Sequence, residues 1–393
     1  MKMDADYNLV VRRLSEAGQK AEAGFYIHYP FCRQKCSYCH FSSSVYEREL
    51  HLKWLAAIKE EIRRAASFFS DYLIIDTVYF GGGTPSLLTP DEVKCLLDWV
   101  RENFEVRLQE ATIEVTPAAE AGRIGDWLQA GINRLSVGAQ SFDPEVLRVL
   151  GRAYEPEKIV SLLEGARRAG GDNIGLDLMV GVPGESFKTI EVNLKALSEL
   201  QPEHVSVYLL EELDKVPFQR VWEKSPVSEE AAAETYERYR LGLEEAGWLQ
   251  YEISNFSKPG FQCRHNLKYW KYQPFLGVGP SASSHLGNFR WTNPSGLEDW
   301  WSALCSGKPN FDEFIRLSPE EAVRECLASG LRLREGISLA ELVSRFPGVD
   351  LSGYETRLTG LKDYGLLQVS DGLVRIPTER FLVSNSIISE LLF

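Results

Sequence analysis

Phe25-Tyr26-Ile27-His28-Tyr29-Pro30-Phe31-Cys32-Arg33-Gln34-Lys35-Cys36-Ser37-Tyr38-Cys39 carries more information than any other part of this 393-residue chain. Its first residues form an apolar, aromatic-rich run that reads as a strand, and the run feeds straight into Cys-x3-Cys-x2-Cys. Three thiolates on one short loop leave a cubane 4Fe-4S cluster one ligand short, because its four irons normally take four cysteines. The open iron can then take an exogenous ligand. Zinc fits the loop poorly: structural zinc usually takes ligand pairs across a larger loop, and His40, directly after Cys39, is awkward as a fourth ligand. Disulfides fit worse. Seven cysteines is an odd count, Cys95, Cys263, Cys305 and Cys326 are scattered, and the opening residues do not read as a secretory leader.

Outward from this loop the first two thirds of the chain alternate strand with helix. Strands are expected at 25–29, 74–80, 112–115, 132–137, 174–180 and 204–210, all short runs rich in β-branched and aromatic residues. Helical patterns lie between them, as at 49–69 and 90–103. The second is opened by Thr89-Pro90-Asp91-Glu92, an N-cap, a proline at the first helical position and a capping-box glutamate. Six such units predict an α/β fold with a parallel sheet and helices outside, too few for a closed eight-stranded barrel. Sites in such sheets lie at the C-terminal strand ends, where the cysteine loop begins. Gly81-Gly82-Gly83-Thr84-Pro85 follows the second strand, Glu114 ends the third, Gln140 follows the fourth and Asp177 lies in the fifth. Alone, a triple glycine marks a tight turn and an in-strand Asp or Gln a satisfied core group. Several polar residues at successive strand ends point instead to a ligand site.

Composition bounds the partners. The chain is 44% apolar, enough for one large core and a smaller second one. A formal net charge of −13 argues against a nucleic-acid partner, whose phosphates it would repel. No segment has the length and apolarity of a membrane span, so a cytoplasmic protein is expected.

The cysteine spacing, with Tyr38 before the third cysteine, resembles the radical S-adenosylmethionine (SAM) superfamily. That resemblance implies a partial (β/α)6 barrel, a 4Fe-4S cluster on Cys32, Cys36 and Cys39, and SAM chelating the open iron through its amine and carboxylate. One electron would then cleave SAM to a 5'-deoxyadenosyl radical. Gly81-Gly82-Gly83-Thr84 resembles the family's GGE-type turn, which contacts the methionine moiety. In the porphyrin-related branch, matching positions imply Tyr26 near the adenine, Glu114 on the methionine amine, Gln140 and Asp177 toward the ribose, and Arg152 on the carboxylate. Tyr38, Gly82, Gly83 and Thr84 complete the expected cofactor-binding set.

Beyond residue 250 the chain changes character. Tyr251-Glu252-Ile253-Ser254-Asn255-Phe256 reads as a strand, followed by His265-Asn266-Leu267-Lys268-Tyr269-Trp270 and the glycine-containing run Phe275-Leu276-Gly277-Val278-Gly279-Pro280. An imidazole beside aromatic faces suits a flat macrocycle or an axial iron bond, although an isolated histidine is more often structural. These motifs resemble the radical SAM haem chaperones related to oxygen-independent coproporphyrinogen III oxidase, in which this histidine is implicated in haem binding. The oxidase itself carries a further cysteine two places after the third, where this chain has Phe41. Departures from the chaperone pattern fall at His40, at Tyr154, at Ser283-Ser284 with His285 close by, and at Glu211–Pro217.

The expected organisation is an N-terminal extension (1–24), the barrel (25–250), an extension carrying the histidine motif (251–309) and a C-terminal winged-helix-like domain (310–393). In the last, Ser318-Pro319-Glu320-Glu321 caps a helix, 337–346 and 354–364 form two more, and 366–376 forms a hairpin turning at 370–372. Its recognition stretch, 354–362, has only Arg357 and Lys362 as basic residues, which favours packing or substrate covering over DNA binding. The extension has a weak helical pattern (Leu9, Val10, Leu14), compatible with packing on the barrel or with mobility.

Three roles fit. The first is a chaperone handing haem to apo-proteins, supplied with electrons by a flavodoxin or ferredoxin and associated peripherally with the membrane, as monomer or homodimer. The second is a catalyst, either decarboxylating porphyrinogen propionates or transferring methyl or methylene groups as class C methylases do. The third is a fold retaining the cluster only as structure, which the intact set Tyr26, Gly82, Thr84, Glu114 and Asp177 disfavours.

Overall fold

The computed structural model of the protein describes residues 2–39, 41–119, 122–210, 217–306 and 311–393. His40 and residues 211–216 of the divergent Glu211–Pro217 segment therefore lie outside the described residues. Six strands, β1 (Ala21–Tyr29), β2 (Leu73–Gly82), β3 (Glu105–Val115), β4 (Arg134–Gln140), β5 (Ile174–Val180) and β6 (His204–Leu209), pair in parallel and in sequence order. The crossovers contain helices, among them Arg48–Phe69, Pro90–Asn103 and Phe187–Leu200. The Pro90–Asn103 helix starts where the sequence places it, with Thr89 and Glu92 forming the reciprocal capping box. The architecture is the expected partial barrel with extra strands.

The sheet continues past both ends of the parallel set. Short strands β7 (Leu249–Gln250) and β8 (Asn255–Ser257) add antiparallel beyond β6. On the other side β9 (Phe275–Val278) runs parallel to β1, with Gly277 opposite Tyr26, and β10 (Ser283–Leu286), β11 (Phe289–Thr292) and β12 (Glu313–Arg316) follow antiparallel. The order β12-β11-β10-β9-β1-β2-β3-β4-β5-β6-β8-β7 leaves the two ends unpaired with each other, so the sheet does not close.

Alternation along the parallel strands separates two environments. Ala23, Phe25, Ile27 and Tyr29 of β1, Val78 and Phe80 of β2, Ala111, Ile113 and Val115 of β3, and their counterparts Leu135, Val137, Leu176, Leu178, Val205 and Val207 are buried in the main core. Each buried aliphatic side chain of this kind contributes about 1.5–3 kcal/mol relative to its exposed state. The intervening residues, Tyr26, His28, Thr77, Tyr79, Glu110, Thr112, Glu114, Arg134, Ser136, Asp177, His204 and Ser206, face the barrel interior. That interior is polar, and it positions the site.

Several boundaries differ from the sequence reading. β1 begins at Ala21, so the strand crosses the expected division at residues 24 and 25. β3 begins at Glu105, seven residues early, because its first half alternates exposed and half-buried residues and lacks the apolar run that marks a strand. The single strand expected at 251–256 is instead β7 and β8, with the intervening residues turning between them. Residues 337–346 divide into a two-residue strand, Ile337–Ser338, and the helix Leu339–Arg345, because the Ser338 side chain accepts the Glu341 N–H and sets the N-cap there. The hairpin Gln368–Ser370 and Leu373–Arg375 turns on Asp371 and Gly372, both with positive φ, and Ile337–Ser338 makes it three-stranded. A last helix, Ser384–Leu392, which the sequence reading missed, buries Ile387, Ile388, Leu391 and Leu392 in a second core with the helix Pro319–Gly330. The N-terminal helix Lys2–Ser15 packs on the barrel: Tyr7, Val10 and Leu14 are buried, with Tyr7 edge-on to Phe68 and Phe69, while Leu9 is exposed.

Candidate functional site

The cysteine loop leaves the C-terminal end of β1. Cys32, Cys36 and Cys39 are free and half-buried. A turn closes the last two, the Cys39 N–H donating to the Cys36 carbonyl at 3.2 Å. Burial pushes the Cys39 thiol up, the Phe41 backbone N–H opposes it, and Cys36 and Cys32 raise it further, so the three sulfurs are within electrostatic reach of one another. Among the described residues, no three His, Cys, Asp or Glu side chains converge as they would around one metal ion. Three cysteine thiolates on one loop, Cys32, Cys36 and Cys39, fit three corners of a cubane-type cluster.

The glycine turn is stitched to this loop by backbone. Gly83 N–H donates to the Tyr29 carbonyl at 2.7 Å and Thr84 N–H to the Phe31 carbonyl at 2.8 Å. Gly82 has φ +112°, and a Cβ there would lie 2.7 Å from the His28 ring; one on Gly83 would lie 2.7 Å from the Phe31 carbonyl oxygen. Only glycine permits both approaches. Glu114 reaches the same turn, accepting the Gly82 N–H at 3.2 Å and the Tyr79 hydroxyl at 3.1 Å. Burial, followed by the nearby Asp177, pushes its carboxyl up to about 7.

The remaining expected residues take distinct places. Tyr26 donates or accepts at His28 Nδ1 (3.2 Å) and lies 6.1 Å, centroid to centroid, from Tyr79. Asp177 accepts from Ser206 at 2.7 Å and Ser136 at 3.2 Å, with burial raising its carboxyl. Gln140 sits in the left-handed region, φ 64°, at the end of β4. Arg152 lies against Tyr38, donating to its hydroxyl with the guanidinium 5.4 Å from the ring centroid, and among the described residues its buried Nε has no partner. Tyr154, one of the departures, donates to the Gly138 carbonyl at 2.7 Å and holds the chain after Arg152 to β4. Thr84 is half-buried at the start of the Pro85–Leu87 turn.

His265 lies away from this mouth. The helix Arg264–Trp270 plugs the opposite, N-terminal end of the barrel, its first N–H groups at Arg264 and His265 donating to Glu110 at 2.9 and 3.0 Å. Lys268 and Asp76 form a buried ion pair at 2.8 Å beside it. The His265 ring is 1% exposed, Nδ1 pairs with Thr77 Oγ1 at 2.8 Å and Nε2 with Tyr269 Oη at 2.8 Å. Burial lowers its pKa to about 3, with Lys268 and Arg134 acting in the same direction, so the ring is neutral. Tyr79 stacks over it at 5.2 Å and, with Tyr26, separates it from the mouth. The open imidazole expected for a macrocycle is thus a closed floor residue here, because both nitrogens have found partners. His285 is also buried, packed on Tyr272 and Phe275.

The sequence reading missed His28, which bridges Tyr26 and the Ser42 carbonyl (3.0 Å), and the interior residues Thr77, Glu110, Arg134, Ser136 and Ser206. The signal was available in the period-two alternation of segments such as Arg134-Leu135-Ser136-Val137 and His204-Val205-Ser206-Val207. Arg134 is fully buried with Nε and Nη1 unpartnered among the described residues.

A parallel partial barrel with three cysteines after its first strand defines a radical SAM protein. The family model of the Radical SAM superfamily matches residues 26–197, and that of the HemN C-terminal domain matches 317–380. Membership of the superfamily implies a 4Fe-4S cluster and SAM. Heme chaperone HemW of Bacillus subtilis (strain 168) is 30% identical over 374 residues, 93% of this chain and 98% of that one. The mitochondrial radical S-adenosyl methionine domain-containing protein 1 of Bos taurus is 32% identical over 396 residues, 96% of this chain and 89% of that one. The chain belongs to the HemW family. The solved structure of coproporphyrinogen III oxidase (HemN) from Escherichia coli superposes with a TM-score of 0.84 at 23% identity, covering 97% of this chain and 92% of that one, a likeness of fold. Among the described residues no helix is long and apolar enough to cross a membrane.

Proposed function

We propose that the protein is a haem chaperone of the HemW kind, holding a 4Fe-4S cluster on Cys32, Cys36 and Cys39 and SAM beside it, and passing haem to acceptor apo-proteins. The observation that carries this reading is the relationship to a heme chaperone along almost the full length of both chains. The meeting of cysteine loop, glycine turn and Glu114 at one barrel mouth supports the SAM part of it. When bound, the cluster supplies the single electron for reductive cleavage of SAM; an electron donor such as a flavodoxin or ferredoxin would replenish it.

The chain's own residues orient the ligand. An ammonium beside Glu114 would relieve the burial that drives its carboxyl toward neutrality, which suits the methionine amine. Tyr26 offers a half-buried ring for the adenine, Gln140 and Asp177 would face the ribose, and Arg152, whose Nε is unpartnered among the described residues, would be the cation for the carboxylate. Tyr38 keeps that guanidinium in place.

Anaerobic reconstitution followed by haem titration, read at the Soret band, tests the reading: near-stoichiometric binding is expected, and no binding overturns it in favour of a catalyst. A methylase would instead yield S-adenosylhomocysteine alongside 5'-deoxyadenosine. His265→Ala decides the floor histidine's part. Haem lost while cluster and SAM cleavage persist would mean that the imidazole leaves Tyr269 to bind iron; haem retained would make it a packing residue.

A further inference from the structure

We propose that the open groove between the helix Gln219–Lys224 and the turn at Pro183-Gly184 holds the carboxylate edge of a porphyrin, with Arg220 and Lys224 as the groups that receive its propionates. The inference rests on the haem-binding reading above and gives it a place on the molecule other than the closed floor around His265.

The groove has a volume of about 360 Å³. Val149, Pro183 and Val221 make its apolar floor, and Arg220 and Lys224 are its charged groups; among the described residues no acidic side chain lines it, in a protein of net charge −13. Arg220 and Lys224 are exposed, and among the described residues neither has a hydrogen-bond or ion-pair partner. Neighbouring arginines differ: Arg148 is paired with Glu145 and Arg238 with Glu234. The i, i+4 spacing puts the two cations about 5–6 Å apart at Cβ on one helix face, and Val221 lines the groove with them. Glu223, the acidic residue of the helix, does not line the groove.

A flat apolar body with two carboxylates on one edge matches an apolar floor bordered by two unpaired cations. The groove lies at the small end of the range for enclosed ligand sites and is open, so it would grip one edge of the macrocycle and leave the rest accessible to an acceptor. Its floor also touches the cysteine loop. Val149 and Val221 pack against an apolar cluster that includes Tyr38, Phe218 and Trp222, and the Phe218 N–H donates to the Ser37 carbonyl at 3.0 Å. Haem held here would lie on the back wall of the cluster-binding loop.

The test compares the reconstituted wild type with R220E/K224E and, separately, His265→Ala. Haem is titrated at the Soret band and iron-free protoporphyrin IX by fluorescence, with cluster absorbance and Tm as controls of folding. Charge reversal is expected to weaken both ligands about tenfold or more, from the loss of two charge-assisted contacts, while cluster content is unchanged. His265→Ala should leave protoporphyrin binding intact, because that ligand has no iron. If the wild type binds haem and R220E/K224E binds it equally well, the groove is overturned and the chaperone reading stands. If the wild type binds no haem, both fall.

Discussion

Gly83 ties two parts of the candidate site through contacts measured in tenths of an ångström. Its Cβ position is 2.7 Å from the Phe31 carbonyl oxygen and 3.0 Å from Phe31 C and N, all backbone atoms that cannot rotate away. Gly83→Ala must therefore displace the peptide that leads into Cys32. We expect a stability loss of about 1–3 kcal/mol and a disproportionate loss of iron on anaerobic reconstitution, measured as iron per protein and cluster absorbance beside Tm. Full iron content at a lowered Tm would mean that the cysteine loop does not depend on the turn. The same residues illustrate what sequence can and cannot carry. Cys-x3-Cys-x2-Cys is local, so its chemistry is readable from spacing alone. That Gly82 must be glycine because His28 stands over it depends on β1 and β2 being neighbours, which spacing does not state.

At the scale of elements, the floor helix Arg264–Trp270 shows how a readable motif acquired an unexpected setting. Its histidine and aromatics stand out in the sequence, but the partners that close it, Thr77, Asp76 and Glu110, come from strands more than 150 residues earlier. The helix is too short to be stable alone; Glu110 satisfies its first N–H groups, and Lys268 anchors it to Asp76 with both side chains under a tenth exposed. Removing one partner of such a pair leaves an uncompensated buried charge. Lys268→Met should cost about 3–5 kcal/mol in chemical denaturation at neutral pH, and Asp76→Asn in the same chain should recover much of it. Additive losses in the double variant would show that the two groups do not act as a pair. Strand positions, by contrast, were largely readable because outward aliphatic runs announce them; β3 was shortened because its half-exposed start has no such run.

Across the whole molecule, buried titratable groups set opposing pH dependences. His265 and His285 have pKa values lowered to about 3 and about 4, and His204 lies well below its usual range; burial is the leading cause for all three. Each is neutral in the fold and protonates near 6.5 when unfolded, so the unfolded state binds more protons as pH falls. Stability from these groups is complete above about 6.5 and declines below it, for His285 until about 4 and for His265 until about 3. Glu61 and Glu252, raised to about 7 chiefly by burial, act oppositely: their ordinary pKa is near 4.5, and stability declines as pH rises from there through 7. Between 4.5 and 6.5 the two sets oppose each other; below 4.5 the histidines act without this counterweight, and acid unfolding should steepen. His285→Phe isolates one histidine. A phenyl ring keeps the packing on Tyr272 and Phe275, and among the described residues Nε2 has no partner to lose. The ring's backbone hydrogen bonds at Gln273 and Gly287 would be lost at about 1 kcal/mol each, independent of pH. The variant should take up one proton fewer on unfolding, reducing the slope of stability against pH by up to ~1.4 kcal/mol per unit between 6.5 and 4. Denaturant midpoints collected across that range give both slopes. Parallel curves for variant and wild type would place a protonated His285 in the native fold and remove it from the acid response.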